Sequence, residues 1–409
     1  MNTTTPARLR SPLLRIIVGL AVAQIGSAAV FAQDQPDQQI PWPTESWQTS
    51  TPAAAGLNPA PLATLHERIA SGDFGFVDRM FVVRGGKAVV NERYERDYKT
   101  ASAGRDLTPH QYNYSHPDWH PYYQGQDVHS LQSVTKSVTS ALIGIAIRRG
   151  EIESLDQKLL SFFQNYDLSK VDARLQQATL DDLLTMRTGI EWHETDRPLD
   201  ETNTTIQLEG SDDWIQFTLD QPLDAGPGKK WTYNSGGSHL MSGVIKQATG
   251  RFVDEYAEEH LFGPLGIKDY HWKKTPQGFP DTEGGLYLEA EQLAKIGYLY
   301  LQDGVWEGER ILPEDWVANS VAARVENVNS AGFGYGYQWW RIDRLAGDDP
   351  KLEVWAGLGY GGQFLIVIPK LEMVGVVNSW NIFGRPQASI LPAFVTAMVK
   401  AASTPPQPE

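Results

Sequence analysis

Helical periodicity runs from residue 133 to about 285, and the strand-like segments lie only before and after it. No other feature restricts the fold as much. A sheet drawn from both ends of a chain must bring those ends together, and antiparallel pairing does so with short connections. On the early side, residues 59–70 place Leu62, Leu65 and Ile69 on one helical stripe. Met80-Phe81-Val82-Val83, Gly85-Gly86 and Ala88-Val89-Val90 then read as a hairpin. On the late side, strand signals return at 335–342, 353–356, 364–368 and 373–377, followed by an amphipathic helix over about 388–401. The expected architecture is α/β of the α+β kind. One antiparallel sheet is flanked by the N- and C-terminal helices, and an all-helical lobe is inserted. The sheet lobe takes about 59–128 and 286–402, the helical lobe about 129–285, and residues 403–409 form a disordered tail.

Composition narrows the function. A net charge of −15 argues against nucleic acid or an anionic membrane surface as partner. The 409-residue chain has no cysteine, so no disulfide and no cysteine lipidation is available. Arg8, Arg10 and Arg15 precede an apolar run from Ile16 to Phe31, and small residues lead to a cleavage site after Ala32. Residues 1–32 therefore read as a signal peptide and 33–58 as a linker or arm. The run is short for a membrane span and is interrupted by Gln24, Gly26 and Ser27, so no stable membrane insertion is expected after cleavage. A disulfide-free exported protein fits a bacterial periplasm or secretion.

The helical stretch opens with Ser133-Val134-Thr135-Lys136, the only Ser-x-x-Lys in the chain. Residues three apart on a helix share a face, so the hydroxyl and the amine can lie side by side. A hydroxyl needs a neighbouring base to become a nucleophile. Lysine serves as one when it is neutral; burial lowers its pKa by up to about 3–5 units, and the positive end of a helix pushes the same way. A neutral Lys136 is the expectation. Alone the motif is short enough to arise by chance, so its context matters.

Two further segments supply that context. Pro227-Gly228 makes a turn ahead of Trp231-Thr232-Tyr233-Asn234-Ser235, with Gly236-Gly237 before the next helix. Beside a lysine ammonium, the Tyr233 phenolate would be stabilised and could carry a proton to and from Ser133. The glycine-rich Trp355-Ala356-Gly357-Leu358-Gly359 lies at a strand, where a ligand or backbone can approach closely. Acyl transfer needs two donors for the developing oxyanion. The Ser133 N–H and a backbone N–H near Leu358 are the candidates.

In this order the three segments resemble the serine β-lactamase and penicillin-recognising family, most closely its class C-like esterase and amidase branch, which includes 6-aminohexanoate-dimer hydrolases. The likeness runs from about Gly56 to Val399 and includes Leu183-Leu184-Thr185-Met186-Arg187-Thr188-Gly189, Pro264-Leu265-Gly266-Ile267 and Gly359-Tyr360-Gly361-Gly362-Gln363. It implies a β-lactamase/transpeptidase-like fold. It also implies an acyl-enzyme on Ser133, with Lys136 and Tyr233 as general base and acid and with no cofactor or metal. Two positions depart from the family pattern. Ser235 stands where Tyr-x-Asn has asparagine, and Trp355 stands where Lys-Thr-Gly has lysine. Trp355 cannot make a charge-assisted contact with a substrate carboxylate. Neutral or aromatic small-molecule esters and amides are therefore the expected substrates. A β-lactamase, a D-Ala-D-Ala carboxypeptidase, or a non-catalytic binding protein on the same scaffold are the alternatives. Ser235, Trp355, Gly357 and Leu358 are the candidate substrate and oxyanion residues.

Other candidates weigh less. His110, His116 and His120 lack a compact metal-ligand pattern, and the aromatic loop at 98–128 reads better as cleft lining. Asp200-Glu201-Thr202-Asn203 does not have the spacing of a water-activating acid and reads as a solvated loop. His129 reads as structural and Trp339-Trp340 as core or cleft wall.

Overall fold

The computed structural model describes residues 42–104, 125, 128–347, 349, 351–383 and 389–403. Its main element is an antiparallel sheet of seven strands. From the early part of the chain come β1 (Val77–Arg84) and β2 (Lys87–Arg93); Gly85 and Gly86, at φ 53° and 77°, form the tight turn between them. A short three-stranded sheet is built from β3 (His129–Ser130), β4 (Tyr270–Trp272) and β5 (Leu286–Leu288), and a two-stranded ribbon from β6 (Val305–Trp306) and β7 (Glu309–Arg310). The late strands β8 (Gly334–Tyr335), β9 (Trp340–Arg341), β10 (Trp355–Gly359), β11 (Gln363–Ile368) and β12 (Met373–Ser379) complete the large sheet in the order β2-β1-β12-β11-β10-β9-β8. The two ends of the chain meet where β1 pairs with β12, Val82 opposite Gly375.

Side chains alternate across this sheet with period two. Met80, Val82, Ile366, Ile368, Met373 and Val377 face the helices Ala60–Ala70 and Ile390–Ser403, packing with Leu62, Leu65, Ile69, Phe394 and Met398. Phe81, Val83, Leu365, Val367, Val374 and Val376 face the opposite way, into a larger core shared with the helices Val134–Arg148, Ser235–Thr249 and Ala290–Leu301. The segment from Trp42 to Ser50 lies along this second side: Trp47 Nε1 donates to the Glu291 carbonyl at 2.9 Å, and Ser50 N–H donates to the Ala88 carbonyl at 2.9 Å. Among the described residues no helix is long and apolar enough to cross a membrane.

Three local expectations are corrected. The helix expected after Gly236-Gly237 starts at Ser235, because Asn234 caps it by accepting the Gly237 N–H at 2.6 Å. The strand expected over 335–342 is two short strands separated by a turn, where Gln338 has φ 61°. The strand expected at 353–356 instead spans Trp355–Gly359, so the glycines belong to it.

Candidate active site

The chain leaves β3 through a sharp bend. Leu131 N–H is still bonded to the Leu286 carbonyl at 2.9 Å, but Gln132 adopts φ 48°. A left-handed non-glycine residue costs on the order of 1–3 kcal/mol and persists only where surrounding contacts impose it. Here the Gln132 amide donates to Ser130 Oγ at 3.1 Å, and its carbonyl accepts the Thr135 N–H at 2.9 Å. The bend places Ser133 at the N-cap of Val134–Arg148 with its side chain half-buried. β10 runs close alongside: a Cβ on Gly359 would lie 2.4 Å from the Leu131 carbonyl oxygen, and one on Gly357 would lie 2.9 Å from Val134 Cγ1. Only glycine allows this approach.

Lys136 is one turn further on and 1% exposed. Its Nζ donates to Ser133 Oγ at 2.9 Å and to the Glu283 carbonyl at 2.5 Å, and lies 3.4 Å from Glu283 Oε2. Three acceptors account for the three donors of an ammonium. Burial pulls the Lys136 pKa down, but Tyr233, Glu283, Glu194 and Asp281 together outweigh it, so the amine is held above its ordinary value. The expected neutral lysine is therefore not favoured: a helix start and burial favour neutrality, and the acidic neighbours, Glu283 nearest at 3.4 Å, oppose it.

Tyr233 reaches the same hydroxyl by a side-chain hydrogen bond with Ser133. The loop carrying it is strapped to the 183–189 block: Thr232 N–H donates to Met186 O at 3.0 Å and Gly228 N–H to Arg187 O at 2.7 Å. The ring stacks on Trp340, centroids 5.8 Å apart and planes at 28°, and the Lys136 Nζ lies 5.3 Å from its centroid. Burial raises the Tyr233 pKa, Lys136 lowers it, and Glu194 and Glu283 add to the rise, leaving it raised overall. The resting site is therefore an ammonium beside a neutral phenol, not the phenolate expected from the lysine alone.

The remaining sequence candidates lie differently. Ser235 is 0% exposed, and its hydroxyl and N–H both donate to Glu194, at 2.8 and 3.0 Å. Its polar groups hold the acid. Trp355 is 9% exposed, belongs to the core of the helical side, and donates from Nε1 to Glu353 at 3.1 Å. Leu358 is half-buried on the other side of β10, opposite Phe364. β9 covers only Trp355 and Ala356, so from Gly357 onward this edge of β10 has no strand partner among the described residues. Asp200 binds the N–H and hydroxyl of Thr202, at 2.9 and 2.6 Å, in an exposed turn. His129 is buried beside Trp380, ring centroids 3.9 Å apart. Trp339 is core. His110, His116 and His120 lie outside the described residues.

Sequence reading missed the acids around Lys136. Glu194 also accepts from Trp192 Nε1 at 3.0 Å. Glu283 sits in Asp281-Thr282-Glu283-Gly284-Gly285, a turn folded on Asp281 Oδ1, which accepts the N–H groups of Glu283 and Gly284 at 2.9 and 3.1 Å. Behind it, Glu209, Asp281 and Glu283 bring one oxygen each within 4.8 Å of one another. The chain supplies its own cation there: Lys273 Nζ lies 3.2 Å from Glu209 and 3.6 Å from Asp281. The one sequence signal for this cluster is an acid before Gly-Gly at the mouth of a strand, and its partner lysine is 147 residues away.

Comparison with known proteins bears on the family and the fold. The chain is 26% identical over 273 residues to a 6-aminohexanoate-dimer hydrolase of Paenarthrobacter ureafaciens, covering 62% of this chain and 67% of that one. Among solved structures it is similar to a protein of Bacillus anthracis provisionally identified as a 6-aminohexanoate-dimer hydrolase, with a TM-score of 0.65, 20% identity, and 88% and 89% of the two chains covered. It also superposes on a family VIII carboxylesterase with a TM-score of 0.61 and 13% identity, covering 87% of this chain and 98% of that one. At such identities these two likenesses establish the fold, a β-lactamase/transpeptidase-like sheet and helical region. The model of the Beta-lactamase family matches residues 79–390, and the chain belongs to that family.

Proposed function

We propose that this protein is an exported serine hydrolase that cleaves a neutral ester or amide through an acyl-enzyme on Ser133. The observation that carries the reading is the convergence of two proton-handling groups on one hydroxyl: Lys136 Nζ at 2.9 Å and the Tyr233 phenol by its hydrogen bond. Because the Lys136 ammonium donates to Ser133 Oγ, the hydroxyl's own proton is free to point at Tyr233. The resting pair holds one proton too many for a base. Once the pair has lost that proton, Ser133 Oγ attacks the carbonyl carbon and its proton passes to the Tyr233 oxygen beside the Lys136 cation. The Ser133 N–H and the Leu358 N–H, on the part of β10 that β9 does not cover, are the proposed oxyanion donors. Tyr233 then gives the proton to the departing alcohol or amine, and a water molecule reverses the sequence to release the acid. Glu283 and Glu194 hold Lys136 and Ser235 in place.

Trp355 supports a neutral substrate, since no lysine stands there to meet a carboxylate. The names of the relatives support an ester or amide. Export rests on the arginine-led apolar segment before Gln33. The test is a panel of p-nitrophenyl esters, a 6-aminohexanoate dimer and nitrocefin, together with fluorophosphonate labelling. Ester or amide turnover and labelling that both vanish in Ser133→Ala support the reading. Nitrocefin turnover exceeding all others moves the assignment to a β-lactamase, and labelling retained in Ser133→Ala removes Ser133 as nucleophile.

A further inference from the structure

We propose that Glu283 is the positioning residue of Lys136, and that the buried charge cluster behind it sets the pH at which Ser133 is activated. The inference rests on the acyl-enzyme reading above. Two of the three acceptors of the Lys136 ammonium belong to this one residue, its carbonyl at 2.5 Å and its carboxylate at 3.4 Å. Both residues are buried, Lys136 at 1% and Glu283 at 3% exposure, so water does not screen the pair. The Asp281 turn holds the Glu283 backbone, and the Glu283 carboxylate hydrogen-bonds with Glu209, whose carboxyl is held well above the ordinary range by burial. A protonated Glu209 can give that hydrogen bond, leaving Glu283 the anion. Lys273 and Asp281 complete the cluster. His239 packs against it, 1% exposed and kept neutral by burial, with neither ring nitrogen bonded among the described residues.

The groups facing Lys136 are Tyr233, Glu283, Glu194 and Asp281; those facing Tyr233 are Lys136, Glu194 and Glu283. Glu283 appears in both sets, and its charge acts on both in one direction. It makes the amine harder to deprotonate, and it makes the phenol harder to deprotonate. Whichever of the two gives up the surplus proton, the apparent pKa of the pair therefore rises with the Glu283 charge. Without that charge the site becomes a base at lower pH, while the ammonium keeps the Glu283 carbonyl but loses its charged acceptor. Glu283 thus trades activity at neutral pH for alignment.

The experiment is the pH profile of kcat/KM for a p-nitrophenyl ester, with the pH dependence of fluorophosphonate labelling of Ser133 as a second readout of acylation alone. The wild type shows an activity that rises with pH. Glu283→Gln moves that limb down by about one pH unit or more, Glu283→Asp returns it toward the wild-type position, and Asp281→Asn moves it down by less. A limb in Glu283→Gln that stays in place or moves up, with activity lowered evenly at every pH, overturns the proposal and leaves Glu283 a packing residue. Should Glu283→Gln fail to fold, Asp281→Asn decides by the same sign. A wild type that neither cleaves esters nor labels at Ser133 at any pH defeats the hydrolase reading instead.

Discussion

The two faces of the large sheet use one strand pattern for opposite ends. The face toward Ala60–Ala70 and Ile390–Ser403 buries aliphatic and aromatic side chains. The face toward Val134–Arg148 buries an equally apolar wall, but within the lobe beyond it lie Lys136, Glu209, Asp281 and Glu283, all nearly inaccessible, with Lys273 half-buried beside them. Apolar burial stabilises by roughly 25 cal/mol per Å², while each buried charge costs several kcal/mol unless it is paired. The first face can therefore carry stability for the second, where charges are kept at an energetic cost that the proposed chemistry would explain.

Substitutions on the two faces should separate stability from turnover. The largest effects fall on the charged side. Ser133→Ala and Lys136→Met are each expected to lower kcat/KM by about 10³-fold or more. They part in urea unfolding. Ser133→Ala removes a half-buried hydroxyl and stays within about 1 kcal/mol of wild type. Lys136→Met strips the cation from Glu283 and costs about 3–5 kcal/mol. Equal stability of the two variants would show that the acids behind Lys136 need no counter-charge. Next comes Phe394→Ala on the apolar side, where the ring is 0% exposed and a Cβ on Gly375 would lie 2.6 Å from its Cζ. It should cost about 3–5 kcal/mol of stability while the folded fraction keeps its kcat. A matching fall in kcat would mean that the two faces are not independent.

What could be read from the chain follows the same division. The apolar face was legible because it is local: the Leu62, Leu65, Ile69 stripe, the Gly85-Gly86 turn and the alternating strands each carry their pattern within a few residues. Ser133, Lys136 and Tyr233 were legible as residue types in a characteristic order. Their charge states were not, since Glu283 approaches Lys136 from 147 residues away. Tertiary contacts also hid the break at Gln338. Its amide donates to the Leu183 and Leu184 carbonyls at 3.3 and 2.9 Å and its Oε1 accepts from Ser238 at 2.9 Å, and those partners hold a backbone conformation that strand propensity disfavours. The β10 glycines weakened the strand signal at the point where close approach to Leu131 and Val134 requires them.

His239 tests the difference between the faces through acid. Burial drops its pKa from 6.5 to about 3, the Glu283 charge opposing and Lys273 adding. The unfolded chain takes up a proton near pH 6.5 that the folded one refuses until about pH 3, so this contribution to stability is intact above pH 6.5 and is lost as the pH falls through that window. At pH 4.5 the loss amounts to about 2–3 kcal/mol. Asp281 works against it: burial and Glu283 raise its carboxyl to about 6, so the native state gains stability as the pH falls from about 6 toward 4. His239→Gln, which cannot titrate, should therefore be less stable than wild type at pH 7 or equal to it, yet lose less on transfer to pH 4.5. Parallel losses in urea unfolding at the two pH values would remove His239 as a source of acid sensitivity.

The smallest effect expected is at Trp340, the ring stacked on Tyr233. An aromatic pair contributes about 0.5–1.5 kcal/mol beyond the area it buries. Trp340 is half-buried and also meets Tyr335 and Trp231 edge-on, at 4.9 and 6.1 Å, so it ties the tyrosine to the sheet edge as one plate among several. Trp340→Leu should leave the pH limb in place, because no charge changes near Lys136. It should lower kcat by about 2- to 10-fold, as Tyr233 gains freedom to leave the Ser133 hydroxyl. A shifted limb with kcat intact would mean that Trp340 acts by excluding water from the pair, which would place the control of protonation partly on the sheet edge and not wholly in the buried charges.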